Sequence, residues 1–476
     1  MKTFRNLTII LLFIFSIGCS EDFIEREPQT SMSENLALSN FKNIKLALNG
    51  AYAPLYDVNY YGRNFVVTPA IKGGNAIKSK DYNSGRFPEE YNWINTPANT
   101  SNLLLTGYEM ISAANNVINA LDGFSEPGVT QEEIDQVKGE ALFLRALAYF
   151  DLTRMYCQPY SYAKDNPETL GMPIMRETKI SKPSRDPLLD VYDNLIVPDL
   201  KNAETLIKGN TQMDRIQSAA TAKGFASQES VQALLSKVYL YMEEWQNAAD
   251  YATEVIQSGK YELYTEDNYT EVWNSNTGSE VIFMVYGDAT QSYWPGYDEI
   301  GYILRPEDGY GDVAASNDLI GLFESGDVRR DMISGLGYSN TEEWTTKYPG
   351  KASIRENNIP VLRLSEMYLI RAEASKEGAS GYNALDDYNM IRTHRGLSEV
   401  TSLTIQDIYD ERRRELNFEA NALWDLSRTG RNLQRPGSDV QGNAPAEVSF
   451  PDYKWAMPIP VQEIDANPNF EQNPGY

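Results

Sequence analysis

VQALLSKVYLYMEEWQNAADYATEVIQSGKYEL, residues 231–263, decides the fold class. Its apolar positions recur at helical rather than strand spacing. Leu234, Val238, Tyr241, Met242 and Trp245 form one stripe, and Ala248, Ala249, Ala252, Val255 and Ile256 form a second. The spacing predicts two helices folded back on each other. The small alanines allow close approach, and Gly259 suits the position after a helix end, where a left-handed backbone is common. Upstream, EALFLRALAYFDLTRMY (residues 140–156) repeats the signal, with Leu144, Leu147, Ala148, Leu152 and Met155 on one stripe. Pro159 ends that helix.

The hairpin at 231–263 is about 30 residues long and resembles a tetratricopeptide unit. A similar pair is expected at Leu364–Glu377 and Tyr382–Thr393. A further unit starts at Thr404, where TIQD has capping-box spacing, and runs through IYDERRRELNFEANALWDL. Helical periodicity also covers Phe41 to Tyr52, with Ile44, Leu48 and Tyr52 four residues apart, and Leu103 to Leu121, before Gly123, Pro127 and Gly128 break it. Residues 54–99 read as loop, rich in Gly, Asn, Pro and Tyr, and EVIFMVYGD (280–288) reads as a short strand. The expected architecture is mainly α, with about four helical hairpins, long irregular insertions and minor β content. Function is expected on the long loops, because a rigid scaffold positions them.

Composition excludes several classes of function. Acidic residues outnumber basic ones 67 to 42, a net charge of −25, which opposes binding to nucleic acid. His394 is the single histidine, so a multi-histidine metal site or a two-histidine catalytic scheme cannot form; no metal or cofactor is expected. His394 itself, in IRTHRG at a helix end, suits the negative pole of the helix dipole. The alternating charges of ERRRELNFE are expected to form ion pairs within the repeats rather than to do chemistry.

The chain begins with Lys2 and Arg5, then the apolar run Leu7–Ile17, then Gly18 and Cys19. At 11 residues the run is too short to span a bilayer, which takes about 20, but it has the form of a secretory signal. The placement of Cys19 resembles a bacterial lipobox, which implies residues 1–18 as signal peptide, lipidation of Cys19, and residues 19–40 as a polar tether. Ser20, Glu21 and Asp22 resemble the acidic tract that directs some lipoproteins of the Bacteroides group to the cell surface. Cys157 is the only other cysteine, so a lipidated Cys19 leaves no disulfide framework.

Five motifs then occur in order: GEALFLRALAYFDLTRMYCQPY (139–160), SKVYLYMEEWQNAADYATEVI (236–256), VLRLSEMYLIRAEA (361–374), ERRRELNFEANALWDLSR (411–428) and WAMPIPVQEIDANPNFEQNPGY (455–476). Together they resemble the SusD/RagB family over essentially the whole chain. The resemblance implies a single SusD-like domain over 41–476, with an N-terminal part (41–225) and a C-terminal RagB/SusD part (226–476). It implies a lipid-anchored, surface-exposed protein of the outer membrane. Such a protein captures an oligosaccharide and delivers it to a partner TonB-dependent, SusC-like transporter, acting as a binder rather than an enzyme.

A sugar needs flat aromatic faces beside Asn, Asp or Arg groups. Two loop regions have that mix: YYGRN (60–64) with EYNWIN (90–95), and QSYWPGYDE (291–299) with Trp344 further on. The candidate ligand residues are Trp93, Asn95, Tyr293, Trp294 and Trp344, with Trp93 and Trp294 the preferred pair; Trp245, Trp424 and Trp455 are assigned to packing. The alternatives are a surface glycoside hydrolase, which needs only two carboxylates at a set separation, a binder of a non-glycan nutrient such as peptide, and a protein-interaction scaffold.

Overall fold

The computed structural model describes residues 38–208, 219–273, 278–335 and 338–476. The expected signal peptide, Cys19 and most of the tether lie outside the described residues.

The main helices are α1 (Phe41–Tyr52), α2 (Asn64–Lys72), α3 (Leu103–Ala120), α4 (Gln131–Tyr156), α5 (Val197–Leu206), α6 (Gln228–Met242), α7 (Trp245–Gln257), α8 (Leu364–Lys376), α9 (Ala384–His394), α10 (Ile405–Glu415) and α11 (Ala422–Arg428). They pack as hairpins, α3 on α4, α6 on α7 and α8 on α9, with α7 laid against α8 and α5 against α4. The closeness the alanines allow is direct: Ala248, Ala249 and Ala252 are fully buried, and Ser236 Oγ on α6 donates to the Ala248 carbonyl on α7 at 2.8 Å. Helix starts follow the local chemistry. Thr130, Ser227 and Thr404 all close capping boxes, Thr404 with Asp407 as its motif requires.

Two elements differ from the sequence expectation. α4 does not present one stripe: every residue from Gly139 to Tyr156 is buried, because α3, α5 and α6 cover it from different sides. Its polar groups are therefore satisfied inside the protein, Arg145 on Asp199 (2.7 Å) and Asp151 by the hydroxyls of Tyr60 (2.6 Å) and Tyr61 (2.9 Å). Residues 54–99 are not all loop. NFVVTPAIK forms α2, buried along its whole length, with Pro69 inside it. A helix enclosed on every face carries no amphipathic stripe, which hid this one from periodicity.

The β content is small: four two-stranded antiparallel sheets among the described residues. The expected strand is present as Val281–Val285, paired with Ile359–Arg363. Ala76–Lys78 pairs with Val313–Ala315, tying the loop after α2 to the insertion that precedes α8.

The charges of ERRRELNFE do pair, but inside the protein. Glu415 accepts from Arg363 (2.9 Å), Arg395 (2.8 Å) and Arg329 (3.0 Å), and Glu411 accepts from Arg329 and Arg414, each at 2.5 Å. Arg363 also reaches Glu280 and Glu419, Arg395 reaches Glu280, Arg329 reaches Asp327, and Lys347 reaches Glu419. Five cations thus face the five carboxylates Asp327, Glu280, Glu411, Glu415 and Glu419, all buried. The neighbouring guanidiniums, Arg395 first, hold Glu415 well below the usual carboxylate range despite its burial. The network joins α10 to α8, α9 and the 327–347 insertion, and so fixes the base from which the loops project.

Candidate functional site

The segment 291–310 contains two short helical turns, Gly296–Asp298 and Ile300–Leu304, and its conformation is set by a few residues. Gly296 takes φ +64, a left-handed turn that glycine adopts without strain. Glu299 then caps the helix Ile300–Leu304 by accepting from the Gly301 N–H at 2.6 Å. The side chain of Glu299 is fully buried, and its other partners are Tyr56 Oη (3.2 Å) and the backbone and side-chain nitrogens of Asn357 (3.2 and 3.1 Å). Burial pushes this carboxyl up to about 8. One side chain therefore fastens α1's following turn, the 291–300 loop and the 350–358 loop together.

This places a row of aromatic rings at the surface. Trp294 is half-buried, and its indole Nε1 donates to the Arg355 carbonyl at 2.7 Å. Tyr297 is 59 % exposed, the most open aromatic ring among the described residues. It lies edge-on to Tyr302 at 5.4 Å, and Tyr302 lies edge-on to Tyr310 at 4.9 Å. The Arg355 guanidinium sits 4.2 Å from the Tyr297 ring centre and 5.4 Å from that of Trp294, and Arg86 sits 4.3 Å from Tyr310. Asp298 accepts from Arg63 at 2.6 Å and from Arg86 at 2.9 Å. The two loop regions singled out in the sequence thus meet: Arg63 of YYGRN bonds Asp298 of QSYWPGYDE, and the Ile300 N–H donates to the Gly62 carbonyl at 2.9 Å. Gly62 is needed there, since a Cβ would collide with Tyr56 O and lie 2.7 Å from Pro295 Cγ. The arrangement offers apolar ring faces interleaved with fixed hydrogen-bond donors and one acceptor.

The five candidate residues are not brought together. Tyr293 and Trp294 stand at this surface, Tyr293 donating to Glu109 at 3.1 Å. Trp93 is 2 % exposed, packed edge-on against Trp455 at 4.9 Å, with Lys72 Nζ 3.8 Å from its ring centre. Asn95 is buried beside it, accepting from Lys72 at 3.4 Å and donating to Glu90 at 3.2 Å. Trp344 is fully buried, its Nε1 donating to the Gly311 carbonyl at 2.9 Å. None of these three presents an open face in this conformation. Polar neighbours in sequence do not distinguish a surface ring from one buried by α2 and the C-terminal segment. Trp424 and Trp455 are 2 % exposed, and Trp245 packs against the core, as assigned.

Tyr297, Tyr302, Tyr310, Arg86 and Arg355 were not singled out in the sequence. The signal for Tyr297 lay within the quoted QSYWPGYDE; Arg355, 56 residues further on than Glu299, has none that is local. A separate cleft of about 280 Å³ lies between 158–170 and 451–474, but its ring Tyr453 is engaged edge-on with Tyr476 and its ring Tyr162 with Phe450. Among the described residues no cluster of His, Cys, Asp or Glu is grouped to hold a metal, and no helix is long and apolar enough to cross a membrane.

Comparison with known proteins follows this architecture. The SusD family model matches residues 336–476, and a second model, described as starch-binding associating with outer membrane, matches residues 22–240. The chain belongs to the SusD family. SusD-like protein P2 of Formosa agariphila is 26 % identical over the full length of both chains. The starch-binding protein SusD of Bacteroides thetaiotaomicron is 34 % identical over 157 residues, 31 % of this chain and 28 % of that one. A crystal structure of a SusD superfamily protein from Bacteroides thetaiotaomicron superposes with a TM-score of 0.81 at 29 % identity, covering 91 % of this chain and 99 % of that one.

Proposed function

We propose that this protein binds an oligosaccharide on the surface formed by Trp294, Tyr297, Arg355, Arg86 and Asp298, and delivers it to a partner TonB-dependent, SusC-like transporter without cleaving it. The observation that carries the reading is the row of surface rings interleaved with guanidiniums, the chemistry that a sugar's C–H faces and hydroxyl rim require. Family membership supports it, since one matching family model is described as starch-binding and as associating with the outer membrane. Lipidation at Cys19 and exposure at the cell surface complete the proposal: a tethered binder stays beside its transporter, and an anchor of more than one acyl chain holds firmly.

Hydrolysis is not favoured at this surface. Asp298 is already the counter-ion of two arginines, Glu109 accepts from the Tyr293 hydroxyl, and Glu299 is enclosed beneath. A hydrolase needs two carboxyl groups facing the glycosidic bond.

The test is calorimetric titration of the protein from Ser20 onward against plant, host and microbial glycans, with chromatography of the glycan afterwards. Binding without cleavage, weakened in Trp294→Ala and Tyr297→Ala, is expected. Cleavage overturns the binder reading in favour of an enzyme, and binding untouched by both substitutions moves the site elsewhere.

A further inference from the structure

The charge state of the bound sugar can be read from Arg355. Its backbone carbonyl is held by Trp294 Nε1 at 2.7 Å and by Tyr56 Oη at 3.4 Å, so the residue is fixed at the surface. Its guanidinium contacts the exposed Tyr297 ring and the half-buried Trp294 ring, yet among the described residues only Nε reaches a polar atom, Ser353 Oγ at 3.4 Å. Among the described residues neither terminal nitrogen has an acceptor. Every other arginine among the described residues places at least one terminal nitrogen on a carboxylate, amide or carbonyl oxygen. Even arginines without an acid do so: Arg185 is satisfied by Asn473 and Leu170 O, and Arg435 by Tyr91 O and Ile71 O.

Lacking a carboxylate does not by itself set Arg355 apart, since Arg176, Arg185, Arg431 and Arg435 lack one too; what does is that its terminal nitrogens meet no oxygen of the described residues at all. Its neighbour Lys351 lies 4.0 Å from the Tyr286 ring centre and bonds the Gly287 carbonyl and Asn358, with no carboxylate of the described residues within salt-bridge distance. Asp298, the acid on the same loop as Tyr297, is taken by Arg63 and Arg86. Glu299 beneath is enclosed by Tyr56, Asn357 and Gly301, and burial keeps it protonated at neutral pH, so it supplies little counter-charge. The two remaining nearby acids, Asp288 and Glu356, make no ion pair with Arg355 or Lys351. Asp288 instead accepts from Thr290 at 2.7 Å.

We infer that the ligand is an acidic oligosaccharide, and that Arg355 receives its anionic substituent, a carboxylate or a sulfate ester, while Trp294 and Tyr297 hold the ring that carries it. A planar guanidinium presents parallel N–H donors that match two oxygens of such a group, and stacking on the rings orients the fork. This inference rests on the oligosaccharide-binding reading above and adds the class of sugar. It also resolves an apparent conflict with the net charge: a local cationic point among aromatic rings outweighs a diffuse negative field that salt screens over about 8 Å.

The experiment compares matched pairs. Oligogalacturonides, glucuronoxylan oligosaccharides and sulfated galactan oligosaccharides are each titrated alongside a neutral counterpart, carboxyl-reduced for the first two and desulfated for the third. The expected result is that at least one acidic member binds about tenfold or more tightly than its neutral partner, the strength of a charge-assisted pair. That preference disappears in Arg355→Gln while thermal stability is kept, and weakens as salt is raised. Which pair shows it tells a carboxylate from a sulfate. Equal binding of acidic and neutral partners, or binding of neutral glycans alone, overturns the inference and leaves the oligosaccharide reading standing. A preference that survives Arg355→Gln overturns the role of Arg355. Absence of binding to every acidic and neutral sugar overturns both.

Discussion

Glu299 offers the sharpest test of how the site is held. Its carboxyl is fully buried, bonded to Tyr56, Asn357 and Gly301, and among the described residues has no cation within salt-bridge distance. Burial raises it from an ordinary value of 4.5 to about 8. The folded state therefore keeps this proton where the unfolded chain has released it, and stability falls as pH rises from 4.5 to about 8, with no further contribution above that. At about 1.4 kcal/mol per pH unit, the interval corresponds to about 5 kcal/mol. With an unfolding entropy of roughly 2.1 cal/mol/K per residue, about 0.9 kcal/mol/K for a body of this size, that is a fall in Tm of about 5 °C. Glu299→Gln removes the titration. The amide carries one more N–H than the acid among neighbours that are mostly donors, so the variant starts about 1–2 kcal/mol less stable at low pH. Its melting curve is then flatter, and the two proteins cross between the ends of the window. Scanning calorimetry across pH 4.5 to 8 measures both. Parallel Tm profiles for wild type and variant would refute the argument, because they would mean that Glu299 ionises in the folded protein as it does in the unfolded one.

Other expectations can be checked alongside. Lys72, buried over Trp93 with Asn95 as a long hydrogen-bond partner, is lowered by burial from 10.5 to about 7. The sign is opposite to that of a raised carboxyl: the unfolded chain binds the extra proton, so this group's contribution makes stability rise between pH 7 and 10.5, and Lys72→Met should flatten that rise in thermal melts. Glu415→Ala leaves Arg363 and Arg395 partly unpaired in the interior and should cost about 3–5 kcal/mol, seen as a Tm lower by several degrees and little changed by added salt. Trp344→Ala, at a fully buried ring, should cost about 3–5 kcal/mol of stability, whereas Trp294→Ala should cost less and act chiefly on glycan affinity. A Trp344 variant that melts like wild type would contradict its packing role.

What could be read from the sequence depended on whether the signal was local. Helix α1 was expected from Phe41 to Tyr52 and has those bounds, because its buried residues Ile44 and Leu48 alternate with exposed ones. The pairs α6–α7 and α8–α9, and the Thr404 cap, were legible for the same reason, each being a short-range pattern. α2 was not, because a segment buried on every side has no polar face to reveal its period. Tryptophans were the other difficulty. Trp93 and Trp294 have similar polar neighbours in the chain. Which of them faces solvent depends on partners far away in sequence, Trp455 for one and Arg355 for the other.

The same distance in sequence explains why the pairing of charges carries functional information that their composition hides. Along the chain, ERRRE and RENN look alike, as short runs of mixed charge. In the fold, the first is enclosed and balanced, five cations against five carboxylates, each desolvated charge compensated by a partner, most of them from another element. Enclosure imposes that balance, since a buried unpaired charge is strongly destabilising. At the surface no such constraint acts, and water can satisfy a guanidinium. A surface arginine in an acid-rich chain would nonetheless readily find an acid, as Arg63, Arg86, Arg330 and Arg413 do. Arg355 is held by its backbone between two rings where Asp298 is already engaged, Glu299 is buried, and the adjacent Glu356 makes no ion pair with it. Its position keeps the cation free of internal partners, and a guanidinium so held is ready to pair with an anion from outside without first breaking a bond.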